Sequence, residues 1–206
     1  MQEIPIELPD ALWLKNHFAD YANPKAKIGR LVRQGALHRL KKGLYVSTKA
    51  AQDSNVLGKA ANRLYGPSYV SFVYALRWYG MIPEHVPHIT SATFHKGRMK
   101  RYDTPVGSFF YQDVPINAYP QRVVFAGENE KRFLMASPEK ALCDELYRIS
   151  GIRSIRSIES LLFENLRLDR EEFERLDHEM LMNLAELYRT ATLATLIKLL
   201  NRSGND

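Results

Sequence analysis

Apolar residues recur along the chain at two periods, and the changes between them mark out its elements. Leu14, Phe18 and Tyr21, with Trp13 beside them, fall at helical spacing and predict a first helix from Asp10 to about Tyr21. Asn23-Pro24 opens a second, an amide that can cap followed by a proline at the first helical position, where its missing N–H costs nothing. Ile28, Leu31 and Val32 make one stripe of that helix, which pushes Lys25, Lys27, Arg30, Arg33 and Gln34 to its other sides, and Gly35 ends it. Leu37 to Leu40 and Leu44 to Ser47 then read as two short strands, closed at Lys41-Lys42-Gly43 by a glycine where a tight hairpin needs positive φ.

Ala50 to Asn55 is small and polar, as in a linker. Val56, Leu57, Ala60, Ala61 and Leu64 form another helical stripe, ended by Gly66-Pro67. Ser68 to Tyr79 is the most apolar stretch and predicts a buried helix stopped by Gly80. His88–Phe94, Val106–Tyr111, Gln121–Phe125 and Arg132–Ala136 read as strands of a small, largely antiparallel sheet. Ser137-Pro138 repeats the cap-then-proline signal, and the pattern is helical from there onward. Ile155, Ile158, Leu162 and Leu166 make one stripe. A capping-box-like Asp169 and Glu172 start another with Phe173, Leu176 and Met180, and Leu184 to Leu200 supplies the last.

Length and composition are those of a globular chain: 206 residues, 45% of them hydrophobic. The net charge of +6 is unevenly placed. Residues 1 to 52 carry nine basic and four acidic groups, whereas residues 151 to 206 carry eight and ten. Cys143 is the single cysteine, which excludes an intrachain disulfide and a multi-cysteine zinc site and fits a reducing cytoplasm. The first nine residues do not read as a secretory signal, and no apolar run reaches the roughly 20 residues of a membrane helix.

From Asn23 to Lys49 there are eight Lys or Arg and no Asp or Glu. A basic helix followed by a basic-tipped hairpin is the pattern of a winged helix-turn-helix, whose recognition helix enters the major groove while the hairpin reaches along the phosphates. The plainer account is a solvated face, as most charge runs are. Agreement among charge, helix and hairpin favours double-stranded DNA, with Lys25, Lys27, Arg30 and Arg33 on the helix and Arg39, Lys41 and Lys42 on the wing. A complete three-helix module would need one more helix than the pattern shows.

Three stretches resemble the AbiEi-like antitoxins, the regulator half of type IV toxin-antitoxin systems of abortive phage infection. They are Leu31-Val32-Arg33-Gln34-Gly35-Ala36-Leu37 through Lys42-Gly43-Leu44-Tyr45, then Ser68-Tyr69-Val70-Ser71 with Ala75-Leu76 and Gly80, then Ser137-Pro138-Glu139-Lys140-Ala141-Leu142 with Asp144 and Tyr147. The resemblance implies a DNA-binding repressor of its own operon. It implies also a C-terminal part that counteracts a nucleotidyltransferase-like toxin without a stable complex.

Other constellations have ordinary readings beside their functional ones. His95, Lys96, Arg98, Lys100 and Arg101 form a second basic run, expected as a solvated loop or an added phosphate contact, with Tyr102 as a stacking face. His85 and His88 lack partners for a metal site. Glu139 with Asp103 or Asp113 is the one candidate metal-dependent nuclease cluster, but Glu139 also suits the first turn of its helix. The apolar stripe Leu184 to Leu200 reads as core, with a dimer interface as the alternative.

The expectation is therefore an α+β protein. A winged helix-turn-helix occupies residues 1–52, and a mixed α/β domain, helical from about 137, occupies 53–206. It is expected to be cytoplasmic, a monomer or weak dimer, without catalytic residues, metal or cofactor.

Overall fold

A computed structural model describes residues 4–203, so the extreme ends of both predicted domains lie outside the described residues. The architecture is mixed α+β. Helices α1 (Ala11–His17) and α2 (Pro24–Arg33) precede a hairpin of β1 (Leu37–Lys41) and β2 (Leu44–Ser47). Asp10 caps α1, accepting from Trp13 N at 2.8 Å, and Asn23 caps α2, accepting from Ala26 N at 2.9 Å. Gly35 and Gly43 hold φ of +71° and +85°, so the stop and the tight turn stand where the sequence calls for them. The first helix ends at His17, not Tyr21, and residues 18–22 form turns with no further helix. Instead, residues 9–11 lie along β2. Tyr45 N donates to Pro9 O and Ala11 N to Gly43 O, each at 3.0 Å.

Ala50 to Gln52 is one 3₁₀ turn, after which Asp53 caps α3 (Ser54–Leu64). Next come β3 (Tyr69–Val70), α4 (Phe72–Trp78), β4 (Ile89–Thr93), β5 (Lys100–Thr104), β6 (Gly107–Asp113), β7 (Val123–Ala126) and β8 (Phe133–Ala136). They form one six-stranded sheet in the order β5-β6-β4-β3-β8-β7. The sheet is mixed, a correction to the largely antiparallel expectation: β4·β6 and β3·β8 are parallel, the other three pairs antiparallel.

Two segments depart from the sequence reading. Tyr69 and Val70 are a strand at the centre of the sheet, not the start of a helix, because an all-apolar run carries no periodicity to separate the two. Val70 pairs with Ser91 on one side and Met135 on the other, and the helix starts only at Phe72. Lys100 and Arg101, expected in a loop, belong to β5 at the sheet edge, where charged strands are usual.

α3 covers the sheet through Val56, Ala60, Ala61 and Leu64. A Cβ added at Gly58 would fall 2.6 Å from a ring carbon of Phe133. Gly58→Ala, normally worth up to about 1 kcal/mol to a helix, is expected here to lower stability, since overpacking a core costs about 1–3 kcal/mol. Urea unfolding checks this. A more stable variant would mean that β8 yields to the added methyl.

The C-terminal helices are α5 (Pro138–Tyr147), α6 (Ile155–Ser160) with a π turn at Leu161–Asn165, α7 (Arg170–Glu174), α8 (His178–Glu186) and α9 (Ala191–Ser203). Asp169 caps α7, accepting from Glu172 N at 3.0 Å. The predicted long helices are each broken once. Asp177 takes Met180 N and starts α8, and Arg189 at φ +53° separates α8 from α9. Leu184, Leu193, Leu196, Leu199 and Leu200 are buried in the main core.

α5 is the hub of this core, with every residue from Glu139 to Leu146 buried. Two of them, Lys140 and Asp144, have fully buried side chains and pair at 2.7 Å. Asp144 Oδ1 also accepts from Tyr188 OH at 2.5 Å, and Oδ2 accepts from Tyr69 OH at 3.0 Å and Ser71 Oγ at 2.6 Å. Lys140 Nζ donates to Tyr188 OH and lies over the Tyr69 and Tyr188 rings. One carboxylate thus ties β3, the α4 cap, α5 and the end of α8 together. Burial, then the Asp144 charge, pushes both tyrosine hydroxyls well above their ordinary range. Burial likewise raises the Cys143 thiol, which leaves it unreactive.

Candidate nucleic-acid interface

The N-terminal elements share a small core of Leu14, Phe18, Ile28, Leu31 and Leu37, separate from the main one. Leu40, Leu44 and Val46 of the hairpin belong to the main core, so the hairpin is docked on the larger body. With Ile28 and Leu31 turned inward, Lys25, Arg30 and Arg33 are exposed, as are Arg39 and Lys42 on the hairpin. Lys27 is half-buried, its Nζ 4.7 Å from the Tyr21 ring centroid and 5.8 Å from that of Phe18. Those rings fix its amine beside the turn between the two helices.

A groove of about 780 Å³ runs between α1, α2 and the hairpin. Its cations are Lys15, Lys25, Arg39 and Lys42, its floor includes Ile28, Gly29 and Val32, and no carboxylate among the described residues lines it. The Arg33 guanidinium lies across Gly29, 3.8 Å from where a Cβ would stand. The structure therefore brings Lys25, Arg39 and Lys42 to one cleft, with Arg30 and Arg33 on the same helix as Lys25. Lys15 was missed by the sequence reading, its only signal being a basic residue near the end of α1.

Lys41 is placed differently. Its Nζ donates to the carbonyls of Arg63 and Leu64, both at 2.8 Å, and so caps the C-terminal end of α3. Burial, and then the nearby Arg63 charge, lowers its pKa. Lys96 serves the same end of the helix, donating to Gly66 O at 3.3 Å and standing over the Tyr65 ring. The pair Lys41 and Lys42 is therefore expected to split. Lys42→Ala should weaken DNA binding with an unchanged thermal midpoint, while Lys41→Met should cost about 1–2 kcal/mol of stability. Thermal melts beside binding curves test this. Equal loss of affinity with no loss of stability in both would remove the capping role.

The alternative acidic cluster does not assemble. Asp113 accepts from Thr93 Oγ1 at 2.7 Å and from Lys96 N and Gly97 N at 2.6 and 2.8 Å, holding the loop after β4. Asp103 accepts from Arg101 Nε at 2.8 Å and Ser108 Oγ at 2.6 Å at the far edge of the sheet. Glu139 sits in the first turn of α5, accepting from Ser137 Oγ at 2.8 Å. Among the described residues no group of three or more His, Cys, Asp or Glu is placed to hold a metal ion. His88 stacks edge-on against Phe110 at 4.8 Å. No helix among the described residues is long and apolar enough to cross a membrane.

Comparison with protein-family models gives no match to this chain, and comparison with curated proteins gives none at a significant level.

Proposed function

We propose that the protein is a DNA-binding transcriptional repressor, with its N-terminal elements working as a winged helix-turn-helix. The observation that carries this reading is the groove between α2 and the hairpin, lined by Lys15, Lys25, Arg39 and Lys42 with no carboxylate among its described lining residues. A duplex presents phosphates on both sides of its major groove, so cations on a helix and on the adjoining hairpin can be neutralised together. Asn23 and Pro24 start α2 cleanly, which leaves its first turns free to meet base edges.

The resemblance of the three sequence stretches to AbiEi-like antitoxins extends the proposal. The protein acts in the cytoplasm as the antitoxin of a type IV system, repressing its operon and counteracting a nucleotidyltransferase-like toxin encoded alongside, without holding it. It is not itself an enzyme in this reading. The separate structural tasks of Asp103, Asp113 and Glu139 support that part.

The test is fluorescence-anisotropy binding to the protein's own upstream DNA and to a scrambled control at two salt concentrations. Preference for the upstream DNA that survives the higher salt is the expected result. Equal binding erased by salt on both would overturn the repressor. Co-expression with the adjacent gene then tests the antitoxin: rescue of growth is expected, and unrelieved toxicity would overturn that part alone.

A further inference from the structure

β7 is an outer strand of the six-stranded sheet, and among the described residues no strand pairs with its outer edge. Val123-Val124-Phe125-Ala126 contains no charge and no proline, the features that most often keep an exposed edge from pairing. Phe125 is 71% exposed, and Val124 and Leu134 are 38% exposed. Leu134 stands opposite Phe125 on β8, so the two share a face, while Val124 points to the other side.

One hydrogen bond reveals where the backbone of β7 is directed. Ser137 N donates to Arg122 O at 2.9 Å, one step beyond the pairing of Val123 with Ala136. Antiparallel strands alternate between residues whose N–H and C=O face the partner and residues whose groups face away. Arg122, Val124 and Ala126 therefore address β8, and Val123 and Phe125 turn their backbone groups away from it, to the outer edge. An antiparallel copy of the same edge would satisfy them.

The ends of the strand favour that occupant. Arg122 at φ +53° precedes β7, and Gly127 at φ +81° follows it, with Glu128 directly beyond. Arg122 and Glu128 are both exposed. Antiparallel pairing about Phe125 sets the start of one strand against the end of the other, so the Arg122 end of each copy meets the Glu128 end of its partner. Opposite charges meet twice by symmetry, around a centre that is apolar. A parallel pairing would set like charges together.

We propose that this edge is a self-association surface on which two copies of the chain pair β7 antiparallel about Phe125, joining their sheets into one. The strand is four residues long, so the dimer is weak and concentration-dependent.

Sedimentation velocity of the full chain over a concentration series, without DNA, tests this separately from the repressor reading. The sedimentation coefficient should rise with concentration for the parent protein. Phe125→Asp should remain monomeric at every concentration with an unchanged thermal midpoint, because the side chain is exposed. Arg122→Glu and Glu128→Arg should each weaken association, and the double variant should restore it. A parent protein that stays monomeric throughout would overturn the proposal. So would a Phe125→Asp protein that associates like the parent, or a charge reversal that fails to rescue.

Discussion

Asp144→Ala is expected to destabilise the protein by about 3–5 kcal/mol, the largest effect of any single change considered. The substitution leaves the Lys140 ammonium fully buried without its counter-ion, and it removes the acceptor of three hydroxyls, from Tyr69, Ser71 and Tyr188. Lys140→Met should cost less. The carboxylate it strands keeps those three donors, and protonation offers it a further way out. Replacing both, Lys140→Met with Asp144→Leu, should be milder than Asp144→Ala alone, because a buried pair exchanged for apolar groups avoids the desolvation of two charges. Urea unfolding of the parent, Lys140→Met, Asp144→Leu and the double variant closes a cycle for the pair, with Asp144→Ala measured beside it. An Asp144→Ala protein within about 0.5 kcal/mol of the parent, the range of ordinary surface changes, would show that the pair does not hold the sheet to the helices.

Removing the exposed cations of the N-terminal face together is expected to have the largest effect on binding. With Lys25, Arg30, Arg33 and Lys42 all changed to Ala, the slope of log affinity against log salt should fall by about 3, since each of the phosphates met by Lys25, Arg33 and Lys42 contributes about 0.9. Binding to the upstream DNA should then be lost at physiological salt. All four side chains are exposed, so the thermal midpoint should not move. The single variants separate roles: a lost base contact relaxes sequence preference by roughly 1–3 kcal/mol, whereas a lost phosphate contact weakens all sequences alike. Arg30→Ala is expected in the first class and Lys42→Ala in the second. A quadruple variant that keeps the parent's slope would move the DNA surface elsewhere on the molecule.

The second basic run bears on the same question. Its members have divided tasks: Lys96 holds the turn after α3 through Gly66 O, while Arg101 pairs with Asp103 and stacks on Phe110. β5 lies beside β1, so the two basic runs, far apart in sequence, approach each other in space. Neither that approach nor the division of labour could be read from spacing.

What the sequence by itself determined is the set of elements whose causes lie within a few residues. Asn23, Ser137 and Asp169 each accept from an N–H three residues ahead, so their helices start where a cap-and-stripe pattern places them. Gly35 and Gly43 stand at positive φ for reasons equally local. The tertiary structure alone decided the rest. Val70 is a strand because β4 and β8 close on either side of it, and Lys41 faces inward because the carbonyls of Arg63 and Leu64 lie there. Asp144 became the centre of a buried network through Tyr69, 75 residues away. A hydrogen bond or a contact of that span leaves no period in the chain. It exists only once the packed elements have brought both partners out of water, where an unmet polar group is costly enough to fix its position.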